Sequence, residues 1–283
     1  MTTITATAPR SGVSFGGILH SEWIKLMSLR STIWCYSIVV FLTVVLSLIY
    51  GSTIYIESGV PLDHDTQQTF AVQAATLSVG MNQLVIAVLG ALVITGEYGT
   101  GMIRSTLTAV PTRLPALFGK IVVFGVVTFV ISLVAIVGSA LLSAPLLANN
   151  GIETDFADPA YWGALFGAAG FLALSGVFAT AVGTIVRNSA GAIAIVLGLI
   201  LVLPTIVQVF ALITMAEWVA NLSAFLPSNA GSRMYAYVAE NGASDPFGLG
   251  GLVLEPWQGA LVLLAWVAGL LVLASVLLKR RDA

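Results

Sequence analysis

Charge is what this sequence has least of. Of 283 residues, only 11 are Lys or Arg and 13 are Asp or Glu, together 8 %, where a soluble protein carries roughly 25 %. Apolar residues make up 58 %, and the mean hydropathy is +1.00. Folded in water, such a chain would lack the charged groups to cover its surface, so a soluble globular domain is excluded. A net charge of -2 and a pI near 5.6 exclude a nucleic-acid binder, which needs a basic face. The high hydrophobicity excludes a disordered segment. The single cysteine, Cys35, excludes a disulfide framework and a CxxC metal site. An integral membrane protein remains.

What is present in quantity is long apolar runs. A helical span needs about 20 mostly apolar residues to cross a hydrocarbon core about 30 Å thick. Six stretches qualify: Ile33–Tyr50, Leu77–Thr95, Ile121–Leu142, Trp162–Val186, Gly191–Met215 and Trp257–Leu278, none with a formal charge. They are too long and continuous for barrel strands. The expected fold is therefore an all-α polytopic bundle. Its parts are a tail (1–12), an interfacial helix (13–31), a six-helix transmembrane domain (33–278) and a basic tail (279–283). With the N-terminus inside, 10 of the 11 cations fall on the inner side and only Arg233 outside, whereas most acids fall outside. The positive-inside rule thus places both termini in the cytoplasm. The N-terminus is not expected to be a cleaved signal, because the first apolar run begins only at Ile33.

Val13–Ser31 has helical periodicity, with Phe15, Ile18, Leu19, Trp23, Leu26 and Leu29 on one side, as in a helix lying in the membrane interface. Glu22 interrupts that apolar arc. It either pairs with Lys25 at i,i+3 or meets a basic residue of a neighbouring segment or subunit. The first inner loop, Gly96–Lys120, is far longer than the second, Arg187–Ala190. It is either a solvated basic loop obeying the positive-inside rule or a docking element.

Here the residues carry a resemblance. The order Glu97, Gly99-Thr100, Arg104, Leu107, Pro111, Arg113 and Lys120 resembles the first cytoplasmic loop of the ABC-2 type permease family. His20–Ile33, HSEWIKLMSLRSTI, is similar to the stretch that precedes the first span in many bacterial members. The resemblance implies a permease subunit of an ATP-driven transporter, an exporter of the bacterial cytoplasmic membrane. It also implies a separate ATP-binding subunit, with ATP held there and no cofactor in this chain, and a second permease copy or a related permease. In such proteins the first inner loop docks on the ATPase. Met102–Ala109 would be the docking helix and Glu97, Thr100, Met102, Arg104, Leu107 and Arg113 its coupling residues, braced by Glu22, Trp23 and Lys25 of the interfacial helix. Gly101 departs from the family pattern and loosens the helix start, since glycine costs about 1 kcal/mol in a helix interior.

The residues favour no chemistry of the chain's own. A phosphate-binding G-x-x-x-x-G-K-[ST] loop is absent: at Gly119-Lys120, Leu114 stands in place of the first glycine and Ile121 in place of the hydroxyl. An intramembrane protease needs His or carboxylates at membrane depth, but His20 and His64 lie outside the spans. Asp63-His64-Asp65 reads as a solvated loop, because adjacent residues rarely converge on one ion. An ion-coupled carrier usually places charges within its spans, and these have none. A non-transporting membrane anchor that recruits a cytosolic partner is the alternative to a permease.

Among uncharged polar residues, Asn82, Gln83 and Gln208 either line a translocation path or bond helix to helix, the commoner role. Pro204 is expected to kink the fifth span and release the Ile200 carbonyl. Gly163-x-x-x-Gly167 and Ala179-x-x-x-Gly183 permit close helix contact. The semi-apolar stretch Ala216–Pro256 resembles the outer hairpin of family members, and membrane lipids are expected neighbours. Arg233 there meets a lipid headgroup or anionic substrate, or pairs with Glu240 or another outer acid.

Overall fold

The computed structural model describes residues 14–54, 62–102, 114–238 and 252–280, and every regular element among them is a helix. Helix α1 (Phe15–Ser28) begins at Ser14, whose hydroxyl accepts from the Gly17 amide. A single extended residue, Leu29, separates it from α2 (Arg30–Thr53). Helix α3 (His64–Thr76) starts where the Asp63 carboxylate accepts from the Thr66 amide and hydroxyl, and it turns through Leu77 and Ser78 into α4 (Val79–Gly99). Two long helices follow, α5 (Leu114–Asn149) and α6 (Pro159–Val186). The next span is broken: α7 (Ser189–Leu197), a π-helical turn (Gly198–Val202) and α8 (Leu203–Thr214). Two short helices, α9 (Glu217–Ala224) and α10 (Pro227–Ser232), lead into a 3-10 turn (Arg233–Tyr235), and α11 (Pro256–Arg280) ends the bundle.

Among the described residues, six helical stretches are long and apolar enough to cross a membrane: Arg30–Thr53, His64–Gly99, Leu114–Asn149, Pro159–Val186, Ser189–Thr214 and Pro256–Arg280. The expected all-α, six-span architecture is the one observed.

Two helices reach beyond the expected spans. The second stretch begins at His64, not near Leu77. Its α3 portion is too polar for a hydropathy window to register, yet it buries Gln68, Ala71, Val72, Ala74 and Ala75 against α2, α5 and α6. Helix α5 has 36 residues, about 54 Å at 1.5 Å per residue, and so projects past a core about 30 Å thick. Lys120 accordingly sits inside this helix and not in the loop before it.

Helix α6 is the centre of the bundle, packing against α4, α5, α7 and α11. It is the least apolar of the six spans and the most buried. Its sequence explains this, because Ala164, Gly167, Ala168, Ala169, Ala173, Gly176, Ala179 and Gly183 leave little side chain between backbones. Small residues allow the close approach that holds helices together in lipid, where burying apolar surface gives no gain. At the closest α4–α6 approach, a Cβ on Gly90 would land on the Gly176 carbonyl oxygen. Thr180 Oγ1 bridges the same helices by donating to the Gly90 carbonyl at 3.0 Å.

Candidate functional site

Four charged side chains meet where α1, α4 and α5 come together at one end of the bundle. Lys120 Nζ of α5 lies 2.6 Å from Glu22 Oε2 and 2.8 Å from Glu97 Oε1. Lys25 Nζ lies 2.7 Å from Glu22 Oε1 and 3.3 Å from Glu97 Oε1. Each lysine thus bridges both carboxylates, so two positive charges face two negative ones among the described residues. Glu22, Glu97 and Lys120 are 3–5 % exposed, whereas Lys25 is partly open to the surface. Burial works to lower the Lys25 pKa. The hydrogen bond and charge of Glu22, with the charge of Glu97, outweigh it and hold that pKa above the ordinary lysine value.

Both readings of Glu22 are therefore realised, since it pairs with Lys25 on its own helix and with Lys120 on another. The side of α1 that docks is the middle of the apolar arc read from the sequence, where Glu22 interrupts it. Ile18, Glu22 and Leu26 are buried, and Ile18 lies against Gly119, whereas Phe15, Trp23 and Leu29 are exposed. The reason is energetic: a Glu paired with Lys120 is satisfied only when buried beside it, so α1 rotates its acidic position inward and leaves Trp23 outward.

The end of α4 carries further contacts that sequence reasoning missed. The Arg187 guanidinium lies over the Tyr98 ring, 5.3 Å from its centroid, and Ser189 Oγ donates to Thr95 Oγ1 at 3.0 Å. Arg187 itself adopts the left-handed conformation, φ 60°, as it terminates α6. The 187–189 connection is thereby tied to the same helix end as Glu97. Its shortness and its lone arginine were the available signals. Thr100 returns its hydroxyl to the Gly96 carbonyl at 2.9 Å, and Met102 is exposed. Arg104, Leu107 and Arg113, and all of the expected docking helix after Met102, lie outside the described residues.

A second, uncharged group lies deeper in the bundle. Asn82 Nδ2 donates to Thr43 Oγ1 (2.8 Å) and Ser78 Oγ (3.1 Å), joining α4 to α2. Gln83 Nε2 donates to Ser175 Oγ of α6 (3.4 Å) and Ser228 Oγ of α10 (3.3 Å). Both amides are buried and bond helix to helix. Gln208, on α8, is half-buried and shares no hydrogen bond with either among the described residues.

Pro204 follows a break in the regular α pattern. The preceding turn is π-helical, and the Ile200 carbonyl is released from the α pattern. The Ser228 hydroxyl takes it up, donating at 2.6 Å. Near the other end of that hairpin, Arg233 Nε donates to the Leu254 carbonyl (3.0 Å) and the Tyr237 hydroxyl to Asp158 Oδ2 (2.9 Å). Burial, together with the Asp158 and Asp65 carboxylates, pushes the Tyr237 phenol up and keeps it a donor. Glu240, the expected partner of Arg233, lies outside the described residues.

Ser228→Ala should cost about 1 kcal/mol, the net value of one buried bond between membrane helices. It should also raise the reactivity of a cysteine placed at Leu222. Thermal denaturation in detergent and maleimide labelling would read the two effects, and unchanged values for both would mean that this bond does not hold the hairpin.

A family model described as ABC-2 family transporter protein matches residues 17–283. No curated protein matches the chain significantly.

Proposed function

The chain belongs to the ABC-2 transporter family and is a multi-pass transmembrane permease component; from that premise we propose that it is an exporter subunit driven by a separate ATPase docking on its first inner loop. The observation that carries the mechanism is the four-charge cluster. Glu97 lies three residues before Thr100 at the end of α4, and Lys120 lies in the second turn of α5, so the two flank residues 103–113. Glu22 and Lys25 add α1 to the same cluster. A displacement of the loop would therefore drag three helices together, because separating buried partners costs several kcal/mol.

In the proposed cycle ATP is bound and hydrolysed by the partner subunit. Six spans make half a transporter, so a second copy of this chain or a related permease completes the path, and two ATPases bind the pair. Charge sidedness supports cytoplasmic termini and a bacterial cytoplasmic membrane location. The Arg187–Tyr98 contact ties the second inner connection to the moving end of α4.

The test is co-purification with the ATP-binding cassette protein encoded beside this chain, followed by ATP hydrolysis in lipid. Replacing residues 102–109 with a flexible Gly-Ser linker should abolish association while leaving the bundle folded. Normal association would refute the docking assignment. Retained association without stimulated hydrolysis or transport in the parent would favour the non-transporting anchor.

A further inference from the structure

The two halves of the fifth span are held in different ways. Helix α7 packs against α4 and α6, but past the π-helical turn α8 packs chiefly on α9 and on the turn itself. Pro204 and Ala211 of α8 are buried, whereas Ile206, Val209, Phe210, Leu212 and Ile213 are exposed. Met215 joins α8 to α9 in the left-handed conformation, φ 48°, and its amide donates to the Ala211 carbonyl. That elbow fixes the two helices as one unit. The feet of the unit meet at Ser228, which starts α10. Its hydroxyl donates to the Ile200 carbonyl inside the turn (2.6 Å) and accepts from Gln83 of α4 (3.3 Å), while Asn229 Nδ2 ties α10 to the Ser223 carbonyl of α9 (2.9 Å). The turn is the weak point of the span. The Leu203 amide reaches back five residues to the Gly198 carbonyl, Pro204 has no amide to offer Ile200, and helices bend at such breaks.

We propose that α8 and α9 form a lateral door in the side of the bundle, swinging as one body about the Ile200–Ser228 pivot. In lipid the swing sacrifices no apolar burial, because acyl chains take the place of neighbouring helices. Hydrogen bonds then decide how easily the door moves. Away from the pivot, two of them hold it to the bundle: Trp266 Nε1 of α11 donates to the Phe225 carbonyl at the end of α9 (3.0 Å), and the Leu252 amide donates to Asn221 Oδ1 within α9 (2.6 Å). Trp266 is the latch, since one side chain makes that bond. Gln83 seats the pivot on α4, the helix that carries Glu97 at its other end, so the pivot follows the charged cluster. The door opens toward acyl chains and therefore suits a substrate with an apolar body that leaves sideways into the bilayer. Its use as an exit rests on the exporter reading; the hinge, elbow and latch rest on the fold alone.

The test is a spin-label distance measurement on the full chain in lipid nanodiscs. Cys35→Ala removes the native thiol, labels go on Ile213→Cys and Leu142→Cys, and unlabelled chain is added in excess. Both positions are exposed, and Leu142 lies on α5, outside the door. The parent should show a closed distance and an open one. Trp266→Phe should raise the open-to-closed ratio about fivefold, the factor that matches one net hydrogen bond. Pro204→Ala gives the Ile200 carbonyl an amide from its own helix and should lower the ratio about fivefold on the same scale. Gly198→Ala, where a Cβ meets nothing within 4 Å, stiffens the turn in the same direction and covers the case in which the Pro204 variant misfolds. A single distance shared by the parent and Trp266→Phe would overturn the door. So would an open fraction that folded Gly198→Ala leaves unchanged. Transport by a chain that shows no swing would sink the door and spare the exporter reading, whereas a swing without transport would do the reverse.

Discussion

Replacing Lys120 with methionine should cost about 3–5 kcal/mol, the usual price of removing one partner from a buried ion pair. Lys120 Nζ is the shortest contact of both Glu22 and Glu97, and all three side chains are almost fully buried. Without it, the two buried carboxylates keep only Lys25 of these two partners, and the group loses one positive charge. The structure escapes by protonating a carboxylate or by releasing α1 to solvent. Both should appear as a lowered melting temperature in detergent and as faster amide exchange in Phe15–Ser28. A second substitution separates charge balance from shape. Adding Glu97→Gln to Lys120→Met leaves the Glu22–Lys25 pair neutral, so the double variant should recover at least half of the lost stability. Under the proposed mechanism it should nevertheless remain uncoupled, because the link from α4 to α5 is gone. A loss below about 1 kcal/mol for the single variant, the value of an exposed pair, would show that water reaches the cluster.

The second large effect should come from Gly167→Ala. A Cβ there would land on the Met234 carbonyl, a backbone atom that cannot rotate away, whereas at Gly163, one turn earlier, nothing lies within 4 Å. Overpacking of this kind costs typically 1–3 kcal/mol, and here the strain falls on the 3-10 turn that follows α10. Gly167→Ala should therefore lower the melting temperature and expose the α9–α10 hairpin to labelling. Gly163→Ala should be neutral, or stabilising by about 0.5–1 kcal/mol from helix propensity. Equal behaviour of the two variants would mean that the hairpin does not seat on α6. The comparison also shows how little the Gly-x-x-x-Gly spacing specifies, since one glycine of the pair is a contact and the other faces open space.

Hydropathy and charge carried most of the architecture, because each is a local sum over a window of residues. Six uncharged apolar runs require six helices in lipid, where every backbone polar group must be satisfied within its own segment. Pro204 was readable for a similar reason: losing one amide donor frees one identifiable carbonyl, wherever the helix goes. The acceptor's partner was not readable. Ser228 is 28 residues away, and only the packing of α10 against the broken span brings it there.

The charged cluster divides in the same way. Glu97, Glu22 and Lys25 stood out as charged residues in amphipathic or loop segments, and sequence pattern was enough to mark them. Lys120 looked like a loop-closing cation and Arg187 like an ordinary positive-inside residue, because their roles depend on helix ends contributed by other parts of the chain. Membrane residence, helix number and the absence of charge from the six apolar runs were decided by composition along the chain, since transfer into lipid is summed residue by residue. Which partner buries Glu22, which glycine is a contact and which carboxylate oxygen, Glu97 Oε2, is left bare among the described residues were decided by tertiary packing. Those outcomes depend on distances between segments far apart in sequence, and no local sum contains them.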